Sequence, residues 1–137
     1  MIQRVSEEVW AFDCEWVPDL QAGRLLYRLP EDLPSQEVLR VMWEQGGATP
    51  ENPTPFLKTI LYRVVSVATV IRRVSRNGEV RLFLQALPEA PDDPSQDEAH
   101  ILRRFLVDGM AAHNPQLVGF NSRNADLRIL TQRALVL

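Results

Sequence analysis

Hydrophobic and polar positions alternate most sharply over Val9-Trp10-Ala11-Phe12-Asp13-Cys14-Glu15-Trp16-Val17. A period of two predicts a strand with Trp10, Phe12, Cys14 and Trp16 on one face and Asp13 and Glu15 together on the other. Apart from those carboxylates the run is apolar and aromatic, so it reads as a buried core strand. Pro18 ends it, because proline cannot donate to a central ladder. Over 20–56 the pattern breaks into short pieces between prolines. Leu25, Leu26 and Leu29 predict one or two helical turns, and Val38, Leu39, Met42 and Trp43 after Ser35-Gln36-Glu37 predict a second short helix. Residues 44–55, with Gly46-Gly47, read as a loop.

A β-branched run over 57–73 predicts a long strand. Asn77-Gly78 signals a hairpin turn, after which Val80, Leu82 and Leu84 alternate with Arg81, Phe83 and Gln85 in a pairing strand. Ser95 and Glu98 have capping-box spacing. They introduce a helix with Ile101, Leu102, Phe105, Leu106 and Met110 on one stripe, stopping at His113-Asn114-Pro115. A short strand follows over 116–121. A last helix begins near Asn124 and places Leu127, Leu130, Ala134 and Leu137 on one face. The order is strand, insertion, strand, hairpin strand, helix, strand, helix: an α/β chain without internal repeats.

Composition adds boundaries. The 137 residues suffice for one domain, 1–137, with a proline-rich insertion at 20–56. No apolar run approaches a membrane span and no signal-peptide pattern opens the chain, so the expectation is a cytoplasmic protein with no membrane partner. One cysteine excludes an intramolecular disulfide and a multi-cysteine zinc site. A net charge of −3 argues against nonspecific nucleic-acid binding by the whole surface while leaving room for a local groove. Arg72, Arg73, Arg76 and Arg81 read as a solvated edge beside the hairpin, with a phosphate track as the alternative, and Trp10 and Trp16 as core, with base-stacking platforms as the alternative.

Candidate chemistry starts from the two carboxylates. Like charges side by side on a core strand lose hydration and repel, which costs several kcal/mol unless compensated. A divalent cation compensates economically, and hard cations such as Mg²⁺ take oxygen ligands. A second polar stretch, Gly119-Phe120-Asn121-Ser122-Arg123-Asn124-Ala125-Asp126, carries a strand into a helix and sets an aspartate in its first turn. By itself that aspartate suits the helix dipole. Beside Asp13 and Glu15 it becomes a candidate third ligand.

Phe12-Asp13-Cys14-Glu15 resembles the Asp-x-Glu first motif of the DEDD-type 3′–5′ exonucleases of the ribonuclease H-like superfamily, and 117–127 resembles their second motif. The chain resembles bacterial predicted exonucleases related to the proofreading domain of family B DNA polymerases. Val17-Pro18-Asp19, Arg63-Val64-Val65-Ser66-Val67 and Asn121, five residues before Asp126, carry the likeness over nearly the whole chain. The resemblance implies a ribonuclease H-like mixed sheet and hydrolysis of terminal phosphodiesters of DNA or RNA with two Mg²⁺ or Mn²⁺ ions about 4 Å apart. It further implies that Asp13 bridges both ions, Glu15 ligates one and orients the attacking water, and Asp126 holds the second. Asn121, with Arg123 and Asn124, would contact the 3′ end of a single strand.

Three departures accompany the likeness. Ala125 stands where the family has Phe, and Arg128 where it commonly has Pro. The family's final motif, a Tyr or His followed by a fourth Asp, is absent. The expectation is a C-terminally truncated fold with weakened or lost catalysis, and the alternative is a nucleic-acid- or partner-binding module retaining the exonuclease fold. The apolar C-terminal helix invites pairing with a second copy. His113, at a helix end, reads as a dipole-complementing residue, and neither it nor His100, in the first turns of its helix, reads as a substitute base.

Overall fold

The computed structural model describes residues 5–137; the first four residues of the polar lead-in lie outside that range. Four strands form one mixed sheet: β1 (Glu8–Pro18), β2 (Tyr62–Val74), β3 (Val80–Leu87) and β4 (Gln116–Val118), in the order β3-β2-β1-β4. β2 and β3 are antiparallel, with Val74 opposite Val80, joined by the Asn77-Gly78 turn in which Gly78 takes φ +82°. Only glycine adopts that backbone freely. β1 and β4 are parallel, with Trp10 opposite Leu117 and Ala11 opposite Val118. The four helices are α1 (Leu20–Tyr27), α2 (Ser35–Gln45), α3 (Glu98–Leu102) and α4 (Asp126–Ala134). Among the described residues no helix is long and apolar enough to cross a membrane.

The described residues divide into two compact units. One holds those up to Glu15 together with Val64–Leu137; the other is Trp16–Arg63 and contains the predicted insertion. In the first, β1 turns Trp10, Phe12 and Cys14 into the core, each at most 5% exposed. Phe105 fills the centre, its ring 6.2 Å from Trp10 and 5.2 Å from Phe12. Arg103–Ala111 continues α3 as wider π-type turns. Ile101, Leu102 and Phe105 are buried as expected, but beyond Phe105 the wider turns bury Gly109 and leave Leu106 and Met110 only partly covered. Gly109 lies against the Trp10 ring, where an added Cβ would come within 2.7 Å. The inward positions of β2 shift parity, from Val64 to Val67, Thr69 and Ile71.

Three helix starts and faces differ from expectation. The N-cap of α3 is Asp97, whose carboxylate accepts from the His100 N–H at 3.0 Å. Ser95 bonds back to Asp93 instead, and Glu98 is drawn away from any capping role. Glu98 Oε1 accepts from the Val64 N–H at 2.7 Å and from Arg133 Nε at 2.8 Å, while Oε2 accepts from Arg133 Nη2 at 2.6 Å. Both side chains are about 12–13% exposed. The bidentate pair therefore ties α4 to the start of α3 and to β2. α4 begins at Asp126 and buries Asp126, Ile129 and Leu130, leaving Ala134 and Leu137 exposed.

In the second unit, Asp19 caps α1, its Oδ1 accepting from the Gln21 and Ala22 N–H groups. Gly23 packs on Met42 with no room for a Cβ, and α2 buries Val38 and Met42 completely. The strand expected over 57–73 starts later, at Tyr62. Thr59–Leu61 forms a tight 3₁₀ turn, and the Leu57 N–H is satisfied by the Tyr62 hydroxyl at 2.9 Å, not by a ladder.

Candidate active site

β1 and β4 run parallel, and the C-terminal ends of parallel strands are where α/β folds gather ligands. At that end of β1, alternation with buried Phe12 and Cys14 puts Asp13 and Glu15 on the opposite face, as the pattern predicts. Both are exposed. The desolvation expected for a strand buried on both faces is thus absent at these two residues, and water screens their repulsion.

Beyond β4 the extended strand stops at Val118, three residues short of the sequence expectation. Gly119 is one reason: a Cβ there would lie 2.7 Å from the Ser122 side chain and 3.3 Å from the Phe12 carbonyl oxygen. The turn is therefore held against β1 beside Asp13. Asn121 is the other reason, at φ +52°, a left-handed conformation that asparagine tolerates better than most residues. Its carbonyl accepts from the Asn124 and Ala125 N–H groups, and its side-chain oxygen accepts from Asn124 Nδ2 at 3.2 Å. Asn121, Arg123 and Asn124 are exposed on this turn. Phe120, which the sequence reading absorbed into a strand, stands out of it at 96% exposure. The only sequence signal for that position is the Gly-x-Asn turn chemistry around it.

Asp126 follows as the first residue of α4 and is 2% exposed. Its Oδ1 is buried without a hydrogen-bond partner. Burial pushes the carboxyl above its ordinary value, and the charge of Asp13 adds to the rise; its own backbone N–H works against it, and the charge of Glu15 adds again. The same carboxylates reach Cys14. Burial first, then the fields of Asp126, Asp13, Glu15 and Glu98, push its thiol up to about 12. Cys14 is thus an inert core residue, neither nucleophile nor ligand at neutral pH.

The three predicted carboxylates share one electrostatic neighbourhood. They do not form a ligand cluster: among the described residues no three His, Cys, Asp or Glu side chains come close enough together to hold a metal ion. The donor chemistry nonetheless fits a hard divalent cation, being all oxygen with one buried oxygen unsatisfied. Two of the hairpin arginines, Arg73 and Arg81, are engaged elsewhere. Arg73 pairs with Glu8 at 3.1 Å and lies over the Phe83 ring, and Arg81 pairs with Glu79. His100 meets Glu89 at 3.3 Å and His113 meets Glu8 at 3.6 Å, both away from Asp126 in their contacts.

Residues 54–137 match the family described as "predicted 3′-5′ exonuclease related to the exonuclease domain of PolB". The matched stretch includes Asn121, Arg123, Asn124 and Asp126, while Asp13 and Glu15 precede it, so the likeness over nearly the whole chain narrows to its larger part. No curated protein and no solved structure matches the chain. The four-stranded mixed sheet with its parallel β1–β4 pair and four helices is consistent with a ribonuclease H-like exonuclease fold. With more than half its length matched, the chain belongs to the family of predicted 3′–5′ exonucleases related to the PolB exonuclease domain.

Proposed function

We propose that the chain shortens single-stranded DNA or RNA from the 3′ end, using Mg²⁺ or Mn²⁺ held by Asp13, Glu15 and Asp126. The supporting observation is Asp126, buried with an unsatisfied oxygen in the fields of Asp13 and Glu15. A carboxylate so placed is destabilising by itself, and a divalent cation relieves it. When bound, the ions supply Lewis acidity at the phosphate being cut.

The chain's own residues do the rest. Asp13 and Asp126 supply anionic oxygens from two elements, the strand and the helix start. Glu15, exposed at the water-facing side, accepts a hydrogen bond from the attacking water and orients it. Asn121 with Arg123 and Asn124 receives the terminal nucleotide, and Phe120 offers an exposed ring on which its base stacks.

A second reading, a binding module that retains the fold without catalysis, is supported by the three carboxylates not being gathered as ligands. Incubating a 5′-labelled oligonucleotide with the protein and Mn²⁺ separates the two. A ladder shortening from the 3′ end, lost in Asp13→Ala, supports the nuclease. Intact oligonucleotide that still binds the metal-loaded protein supports the module.

A further inference from the structure

A groove of about 600 Å³ opens within the Trp16–Arg63 unit, lined by Val17 of β1, Gln21 of α1, Leu39 and Trp43 of α2, and Arg63 of β2. Its size suits a nucleotide-sized ligand. Leu39 and Trp43 stand one helical turn apart, beside the fully buried Val38 and Met42, yet both stay partly exposed. An apolar, aromatic wall is thus left open next to a finished core.

Arg63 supplies the complementary charge. It is exposed, and among the described residues its guanidinium has no hydrogen bond or ion pair, whereas Arg40, Arg73, Arg81, Arg104 and Arg133 all do. Asp19 also lines the groove, but it is 8% exposed and its Oδ1 serves the amides of Gln21 and Ala22. Val17, at 37% exposure, leaves a further apolar surface open in the groove.

Resting on the nuclease reading above, we infer that this unit carries a subsite for an unpaired nucleotide of the strand being shortened. The Trp43 ring stacks its base and the Arg63 guanidinium meets its phosphate. An aromatic face beside an uncommitted guanidinium is the pairing by which single strands are held without sequence readout. The β1–β2 insertion then serves as the substrate-gripping part of the chain.

The test is fluorescence-anisotropy titration of a labelled oligo-dT with the full chain in Ca²⁺, which supports binding while slowing hydrolysis. Trp43→Ala is expected to weaken binding about tenfold, with Trp43→Phe retaining most of the affinity. Arg63→Ala is expected to lower the slope of log affinity against log salt by about 0.7, the value for one single-strand phosphate contact. Arg63 is exposed, so that variant folds even if Trp43→Ala does not. Wild-type binding left within twofold by Trp43→Phe, Trp43→Ala and Arg63→Ala, with an unchanged salt slope, overturns the subsite and leaves the nuclease reading standing. A wild type that neither binds nor shortens oligonucleotides overturns both.

Discussion

A half-buried and a buried carboxylate open two neighbouring helices, Glu98 at the start of α3 and Asp126 at the start of α4, and their surroundings are opposite. Glu98 accepts three hydrogen bonds, two of them from Arg133. Asp126 keeps Oδ1 buried without a partner, and the charges nearest in effect are the like charges of Asp13 and Glu15. A carboxylate whose lone pairs are all met by the fold is a strut. One left unmet, facing others of its sign, is strain that the fold retains, and such strain concentrates where ligands bind. The strut also serves the strained site, because Arg133 and Asp126 sit on the same helix and the Glu98 clamp sets where α4 lies.

The largest expected effect therefore falls on the satisfied member. Glu98→Ala takes two hydrogen bonds from Arg133 and leaves the Val64 N–H without its acceptor, at a cost of about 3 kcal/mol. Urea unfolding should show the midpoint falling without a change in slope. A loss under 1 kcal/mol would remove the distinction between the two carboxylates.

Asp126→Asn should act in the opposite direction. It removes a buried charge with an unsatisfied oxygen, and in metal-free buffer with chelator it should stabilise the protein by about 1 kcal/mol, roughly 3–5 °C in the thermal midpoint. Stability exchanged for a functional group is the usual direction of such a change.

The smallest effect is on pH dependence. Asp126 has a folded pKa raised above its ordinary 3.8, so the unfolded chain gives up that proton first. Its contribution to stability is fully present below the ordinary value and is lost as pH rises through the folded pKa. In chelator, the stability gap between wild type and Asp126→Asn should be close to nil in acid and open as pH rises past that range. A gap that stays constant with pH, followed by chemical denaturation, would mean that Asp126 carries no such shift.

Much of the fold was readable from local pattern. The alternation of Trp10, Phe12 and Cys14 against Asp13 and Glu15 has period two and leaves one reading. Asn77-Gly78 names its own turn, because few residues accept the required backbone. The misreadings all lie where distant groups decide. Ser95 and Asp97 are both competent caps, and Asp97 prevails because Glu98 is held by Val64 and Arg133, far away in sequence. The stripe fails only beyond Phe105, at Leu106 and Met110, where Gly109 approaches Trp10 through wide turns that no local spacing announces. β4 ends early because Gly119 meets β1, again a contact between remote segments. Within the site, residue identities were legible and environments were not: Asp13 and Glu15 were read on a buried core strand and are exposed, while Asp126, read only as a first-turn residue and candidate third ligand, is buried. Burial depends on which layer covers which face, a property of the assembled fold and not of any window of sequence.

On the proposed function, Asp126 is kept unsatisfied for a divalent cation shared with β1. Titrating Mn²⁺ while following the thermal midpoint of wild type and Asp126→Asn tests it directly. The wild-type midpoint should climb by several degrees as Mn²⁺ passes its dissociation constant, and the Asp126→Asn midpoint should start higher and stay flat. Equal responses from the two proteins, or a flat wild type, would contradict it.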